Sequence, residues 1–176
     1  MAIVTLITDF GTRDGYVGEM KGVLLERCPT ASLVDVTHDI EPGDIPGAAW
    51  VLGRVWGRFP EGTVHLVVVD PGVGGGRRAV ALEHDDRWFV GPDNGLITRA
   101  IPGDAAQARS IDTESLGLAP ASVTFHGRDL FAPAAAWLAG GGDPDRVGAS
   151  LEPAELVRLD LPAPERVGPA VRGHVW

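Results

Sequence analysis

Residues 2–8 (AIVTLIT) are apolar or β-branched almost without a break. A run this continuous, with no polar alternation, predicts a strand buried on both faces. It ends at Asp9 and Gly11, after which Val17, Met20 and Leu24 recur at helical spacing. Asp14 stands where a helix cap belongs, and Cys28-Pro29 stops the helix. SLVDVTH (32–38) predicts a second strand. A second helix starts near Asp44 and carries Ala48, Val51, Leu52 and Val55 on one face. TVHLVVVD (63–70) predicts a third strand, again apolar on both sides. This βαβαβ alternation predicts an α/β fold, with a mostly parallel sheet and helices on both faces.

The pattern then changes. RAVALEH (78–84) and RWFVGP (87–92) predict two short strands joined as a hairpin through Asp85-Asp86. NGLIT (94–98) opens a short helix, and residues 102–122 are turn-rich without a periodic pattern. RDLFAPAAAWLAGG (128–141) predicts a helix with a glycine stop, Pro133 lying in its first turn or kinking it. LDLPAPERVGPA (159–170) holds three prolines and reads as a linker. VRGHVW (171–176) alternates like the first half of a strand. The expected organisation is an α/β domain over 1–160, then over 161–176 a Pro-rich linker and the start of a further domain of a longer chain.

Composition narrows the function classes. The 176 residues suit one domain with a real core, and 44% hydrophobic against 22% charged residues argues against disorder. Gly 24 and Pro 14 point to many tight turns and backbone-lined loops. The formal charge of −9 disfavours a nucleic-acid groove or an anionic membrane face, and it suits a cationic small ligand. One cysteine, Cys28, leaves no pair for a disulfide framework and no Cys-rich zinc site within the chain. No run of 18 apolar residues occurs, and MAIVTLITDF lacks a basic n-region and a cleavage site, so a cytoplasmic protein is expected.

Four places carry candidate chemistry. Asp9 follows the first strand, at the carboxyl edge where open α/β sheets bind ligands; a carboxylate there can accept both hydroxyls of a ribose, or cap the next helix. In VVVDPGVGGGRR (67–78) a buried strand delivers Asp70 to its carboxyl end, and a glycine loop leads to Arg77 and Arg78. It is neither G-x-G-x-x-G before a helix nor a P-loop. What remains is close backbone approach to a ligand, with a carboxylate and a guanidinium able to meet across the loop. In TFHGRDLF (124–131), His126 precedes a helix start, where it can serve as a general base or as a donor to a developing charge; Asp129 reads as a cap. In GPDNGLIT (91–98), Asp93-Asn94-Gly95 is strong turn chemistry, and Asn94 can also read a ligand edge. His38-Asp39 lacks partners at a metal-site spacing, His65 lies inside a strand as packing, and Cys28 reads as a small buried hydrophobe.

Together these residues resemble the S-adenosyl-L-methionine hydroxide adenosyltransferases, also called S-adenosyl-L-methionine hydrolases, which are related to the fluorinases and chlorinases. The similar stretches are ITDFGTRDGYVGEMKG (7–22), DVTHDIEPGDIPGAA (35–49), VVVDPGVGGGRRAVAL (67–82), FVGPDNGLIT (89–98) and TFHGRDLFAPAAAWLA (124–139). DPGVG followed by Arg, with FHGRD later, is specific in combination. The resemblance implies a Rossmann-like layered N-terminal domain, then a C-terminal β-barrel domain that this chain lacks, beginning about GHVW (173–176). It implies a homotrimer with substrate between neighbouring subunits. It assigns Asp70, Arg77 and His126 to the handling of water, and Asp9 to the ribose; Asp93 and Asn94 are taken as further substrate-binding residues. It implies no metal and no cofactor. Halogenating relatives lack the Asp–Arg–His set, so the expected reaction is hydrolysis of S-adenosyl-L-methionine to adenosine and L-methionine by water attacking the ribose 5′ carbon. Which of the three takes the proton stays open. The alternatives are 5′-halogenation and a nucleoside-binding module without turnover, and the fragment alone need not be active. Gly43 departs from the family, many members carrying a bulky aromatic there.

Overall fold

The computed structural model describes residues 2–103, 106–118, 122–161 and 165–173. The strands are β1 (Ile3–Thr8), β2 (Ser32–Thr37), β3 (Val64–Val68), β4 (Ala79–His84), β5 (Arg87–Pro92), β6 (Gln107–Ser110), β7 (Ser150–Leu151), β8 (Glu165–Val167) and β9 (Ala170–Arg172). The α-helices are α1 (Tyr16–Arg27), α2 (Ile45–Val55) and α3 (Ala132–Ala139).

Seven strands form one sheet in the order β2-β1-β3-β5-β4-β6-β7. The continuous apolar runs are explained by layers on both faces. Val4 and Leu6 of β1, and Val64, Leu66 and Val68 of β3, pack with Met20 and Leu24 of α1 and with Ala134 and Leu138 of α3. Ile7, Val67 and Val69 point the other way, toward Ala48 and Leu52 of α2 and toward Leu96 and Ile97. β1 is parallel to both β2 and β3, so the chain leaves β1 in one direction and returns across it to β3. The carboxyl ends of β1 and β3 therefore form a topological switch point, the crevice that open α/β sheets use for ligands. Thr8 stands opposite Val68, so Asp9 and Asp70 leave the sheet at the same edge.

Several expectations need correction. The sheet is mixed: β1–β2, β1–β3 and β3–β5 are parallel, while β4–β5, β4–β6 and β6–β7 are antiparallel. The hairpin causes this, because its second strand adds beside β3 and throws β4 outward. Asp85 and Asp86 turn it with φ of 50° and 54°, the left-handed pair of a two-residue hairpin. α1 is capped at Gly15; Asp14 sits one residue earlier and accepts the Tyr16 N–H at 3.1 Å. The helix predicted over 128–141 opens instead with a π-turn, Gly127–Phe131, before α3. Pro133 has no N–H for the α-helical bond to residue 129, and the Ala132 N–H reaches back to the Gly127 carbonyl. The turn-rich stretch contains β6, whose burial shows no period. The stretch read as a linker contains β8, which pairs with β9 in a hairpin whose residues are all exposed. Residues 162–164 and 174–176, including most of the proposed start of a second domain, lie outside the described residues.

Candidate active site

Asp9 follows β1 directly, and its Oδ2 accepts the Gly43 N–H at 2.8 Å. Gly43 has φ +77°, a left-handed conformation that glycine adopts without strain, which is why this position turns its amide toward Asp9. Asp9 does not cap α1. Beneath it, Thr8 Oγ1 lies 2.8 Å from His38 Nδ1, and His38 Nε2 lies 3.0 Å from Asp35 Oδ1. His38 thus braces the exit from β1.

Asp70 lies two residues past β3, with its side chain 5% exposed. Arg77 reaches it across the glycine loop: Nε donates to Oδ1 at 3.1 Å and to Oδ2 at 2.9 Å, and Nη2 donates to Oδ2 at 2.5 Å. The same Nη2 lies 2.6 Å from His126 Nδ1. The guanidinium also sits 5.2 Å from the Phe131 ring centroid, so that the π-turn before α3 floors the cluster. Gly74, at φ +75°, allows the loop to touch the segment leading to His126; a Cβ there would meet the Val123 carbonyl at 2.7 Å. Three side chains distant in sequence thus meet at one point.

The chemistry of these contacts fixes the imidazole. A guanidinium only donates, so His126 Nδ1 accepts and the ring proton resides on Nε2. Burial, and then the charge of Arg77, hold the His126 pKa below its ordinary 6.5, while Asp70 and Asp129 pull the other way. A cavity of about 40 Å³, with walls that include Phe10, Tyr16, Val68, Asp70, Val73 and His126, adjoins the cluster. That space suits water, since about 10–15 Å³ is the minimum for one molecule. Phe10 and Tyr16 were not legible as site residues, because aromatics beside a turn read as packing. Their rings meet edge-on at 4.8 Å, and Tyr16 Oη accepts the Arg128 N–H at 3.2 Å. Burial chiefly raises the Tyr16 pKa.

Asp93 and Asn94 stand apart from that cavity. The Asp93 side chain is 2% exposed, and its Oδ2 takes Arg78 Nε at 2.9 Å and Nη2 at 2.7 Å. Its Oδ1 accepts the Val157 N–H at 2.8 Å. Asn94 Nδ2 donates to the Val69 carbonyl at 2.9 Å. Both oxygens of Asp93 thus accept hydrogen bonds from the protein, apart from the cavity beside Asp70 and His126.

The fold and the cluster define a class: an α/β protein whose strand ends at the switch point present a carboxylate, with a carboxylate–guanidinium–imidazole set beside it. The chain belongs to the SAM hydroxide adenosyltransferase N-terminal domain family, whose sequence model matches residues 4–148. It is 46% identical to the (R)-S-adenosyl-L-methionine hydrolase of Salinispora tropica over 162 residues, covering 90% of this chain and 61% of that one. The enzyme of the same name from Thermus thermophilus is 45% identical, over 92% of this chain and 66% of its own length. A crystal structure of an uncharacterized conserved protein from Thermotoga maritima matches with a TM-score of 0.84 at 38% identity, over 92% of this chain and 62% of that one. The chain thus spans 61% and 66% of the length of these two curated relatives.

Proposed function

We propose that this chain carries the water-handling half of an S-adenosyl-L-methionine hydrolase, releasing adenosine and L-methionine. The observation that carries the reading is the single cluster of Asp70, Arg77 and His126 beside a water-sized cavity. The names of the relatives support it.

Asp9 keeps one oxygen for the Gly43 amide and presents the other to the ribose hydroxyls. Water in the cavity attacks the 5′ carbon as the carbon–sulfur bond breaks, and its electron pair returns to sulfur to give methionine. His126 offers Nε2–H to the water oxygen and so orients it. With Nδ1 committed to Arg77 and Nε2 already protonated, His126 has no free lone pair for a proton. Asp70 takes it, and Arg77 keeps that carboxylate in place. The division of labour agrees with charge: positive charge on sulfur vanishes in the transition state, so a carboxylate belongs near the water rather than near the sulfonium. In the homotrimer expected of the family, the adenine side of the substrate would be met by a neighbouring subunit.

The test is to measure adenosine and methionine released from S-adenosyl-L-methionine by Asp70→Asn and His126→Ala. Each is expected to lose about 10²–10⁴-fold in kcat, the usual worth of positioned acid–base help. Undiminished turnover in both variants removes the proposal. Binding without product release in the unmodified chain, followed by calorimetry, would leave a binding module.

A further inference from the structure

The loop carrying Asp70 and Arg77 is closed at its base by two consecutive residues. At its start, the Val69 carbonyl accepts Asn94 Nδ2 at 2.9 Å. At its end, Arg78 is gripped twice: its guanidinium forks onto Asp93 Oδ2 at 2.9 and 2.7 Å, and its carbonyl accepts the Asp93 N–H at 2.9 Å. Neighbouring residues of an extended chain point to opposite sides. Arg77 therefore faces Asp70 and His126 while Arg78 faces Asp93. The grip extends further. Asp93 Oδ1 holds the Val157 N–H at 2.8 Å, Arg78 Nη2 donates to the Glu155 carbonyl at 2.5 Å, and the Leu159 N–H reaches Thr98 Oγ1 at 2.9 Å. A strap of residues 155–159 thus lies across the back of the clamp.

We propose that Asp93, Asn94 and Arg78 are positioning residues that close the 69–78 loop and so fix the Arg77 guanidinium between Asp70 and His126; their place in catalysis rests on the hydrolase reading above. Asp93 serves this duty from a side chain 2% exposed, its Oδ2 held by Arg78 and its Oδ1 by the Val157 N–H. The Asp93 side of this pair is buried while Arg78 is 35% exposed, so separating them strands the Asp93 charge out of water. A glycine loop has little stiffness of its own, so the fork must be registered from outside.

The test is made on Asp93→Asn, which keeps shape and loses charge, and on Arg78→Gln and Arg78→Lys. Two readouts are taken, steady-state kinetics and the titration of His126 by proton NMR. His126 is faced by Asp70 and Arg77 from the loop, Asp129 from its own turn and Tyr16 from α1. Loss of the clamp lets Arg77 withdraw, and the His126 pKa rises toward 6.5. kcat is expected to fall about 10²-fold, the cost of misplacing catalytic groups by about an ångström, with KM unchanged. Arg78→Lys, which keeps the charge without the fork, should recover part of both. A substrate contact behaves oppositely: KM rises and kcat holds. That result, or an unmoved His126 titration in folded Arg78→Gln, overturns the proposal. The variants of Arg78, whose side chain is 35% exposed, serve if Asp93→Asn fails to fold. Should the unmodified chain show no turnover, the titration still decides the clamp, and only the hydrolase reading fails.

Discussion

Three histidines of this chain do three different jobs, and their surroundings decide which. His126 borders a cavity with its Nδ1 committed to Arg77, and His38 braces a strand exit against Asp35. His65 is wholly buried in β3, 2.8 Å from Thr5 Oγ1 and 4.9 Å from the Trp56 ring centroid. Burial pushes its pKa from 6.5 down to about 4. The sign follows from linkage. Below pH 6.5 the unfolded chain binds a proton that the folded chain refuses, so stability is full above 6.5 and declines as pH falls. The decline continues until the folded pKa is passed, and by then roughly 3 kcal/mol is lost, at about 1.4 kcal/mol per pH unit. His65→Gln keeps a polar partner for Thr5 and removes the titration. Urea unfolding across pH 4 to 7 should show a flatter stability curve in the variant than in the unmodified protein. Parallel curves would mean that His65 takes up its proton equally in the folded and the unfolded chain.

Elements were legible where their cause is local. β1 and β3 read correctly because a strand covered on both faces leaves an unbroken apolar run, whatever lies around it. α2 read correctly because Asp44 caps it, accepting the Gly47 N–H at 2.9 Å, with Pro46 in the first turn. That cap gives a direct prediction: Asp44→Ala should cost about 1 kcal/mol in urea unfolding, and an effect near zero would show that packing alone fixes the helix start. Where the cause is tertiary, the pattern was silent. Nothing in RAVALEH or RWFVGP tells which strand of the hairpin joins β3, and so the sheet's mixed direction stayed hidden. β6 buries one residue of four, which leaves no period to read. The site shows the same division. Asp70 and Arg77 were legible as a carboxylate and a guanidinium able to meet across one loop, and the family resemblance joined His126 to them. The ion pair of Asp93 was not legible, because its partners, Arg78 and Val157, lie 15 and 64 positions away.

At the scale of the whole molecule, the site sits where the fold has least freedom. β1 and β3 are flanked by strands on both sides, and Leu6 and Leu66 are wholly buried between two packed layers. Exposing their amides requires breaking both layers at once. The hairpin β8–β9 is the opposite case: every described residue in its strands is exposed, with Val167 at 46% and Val171 at 66%. A two-stranded hairpin without a covered face is marginal in water. The strap at 155–159 lies between these extremes, with Leu156 buried and Val157 exposed at 44% but hydrogen-bonded to the clamp. Native-state hydrogen exchange should therefore rank the chain in three classes. The Leu6 and Leu66 amides should exchange only with global unfolding. The Val157 and Leu159 amides should exchange through a smaller opening that costs less. Residues 165–172 should exchange with little protection. The middle class is the informative one, because an opening that frees the strap also frees Asp93 from Val157. If those amides exchange as fast as the hairpin, the strap adds nothing to the loop that carries Asp70 and Arg77; if they exchange with β1, strap and sheet form one cooperative unit.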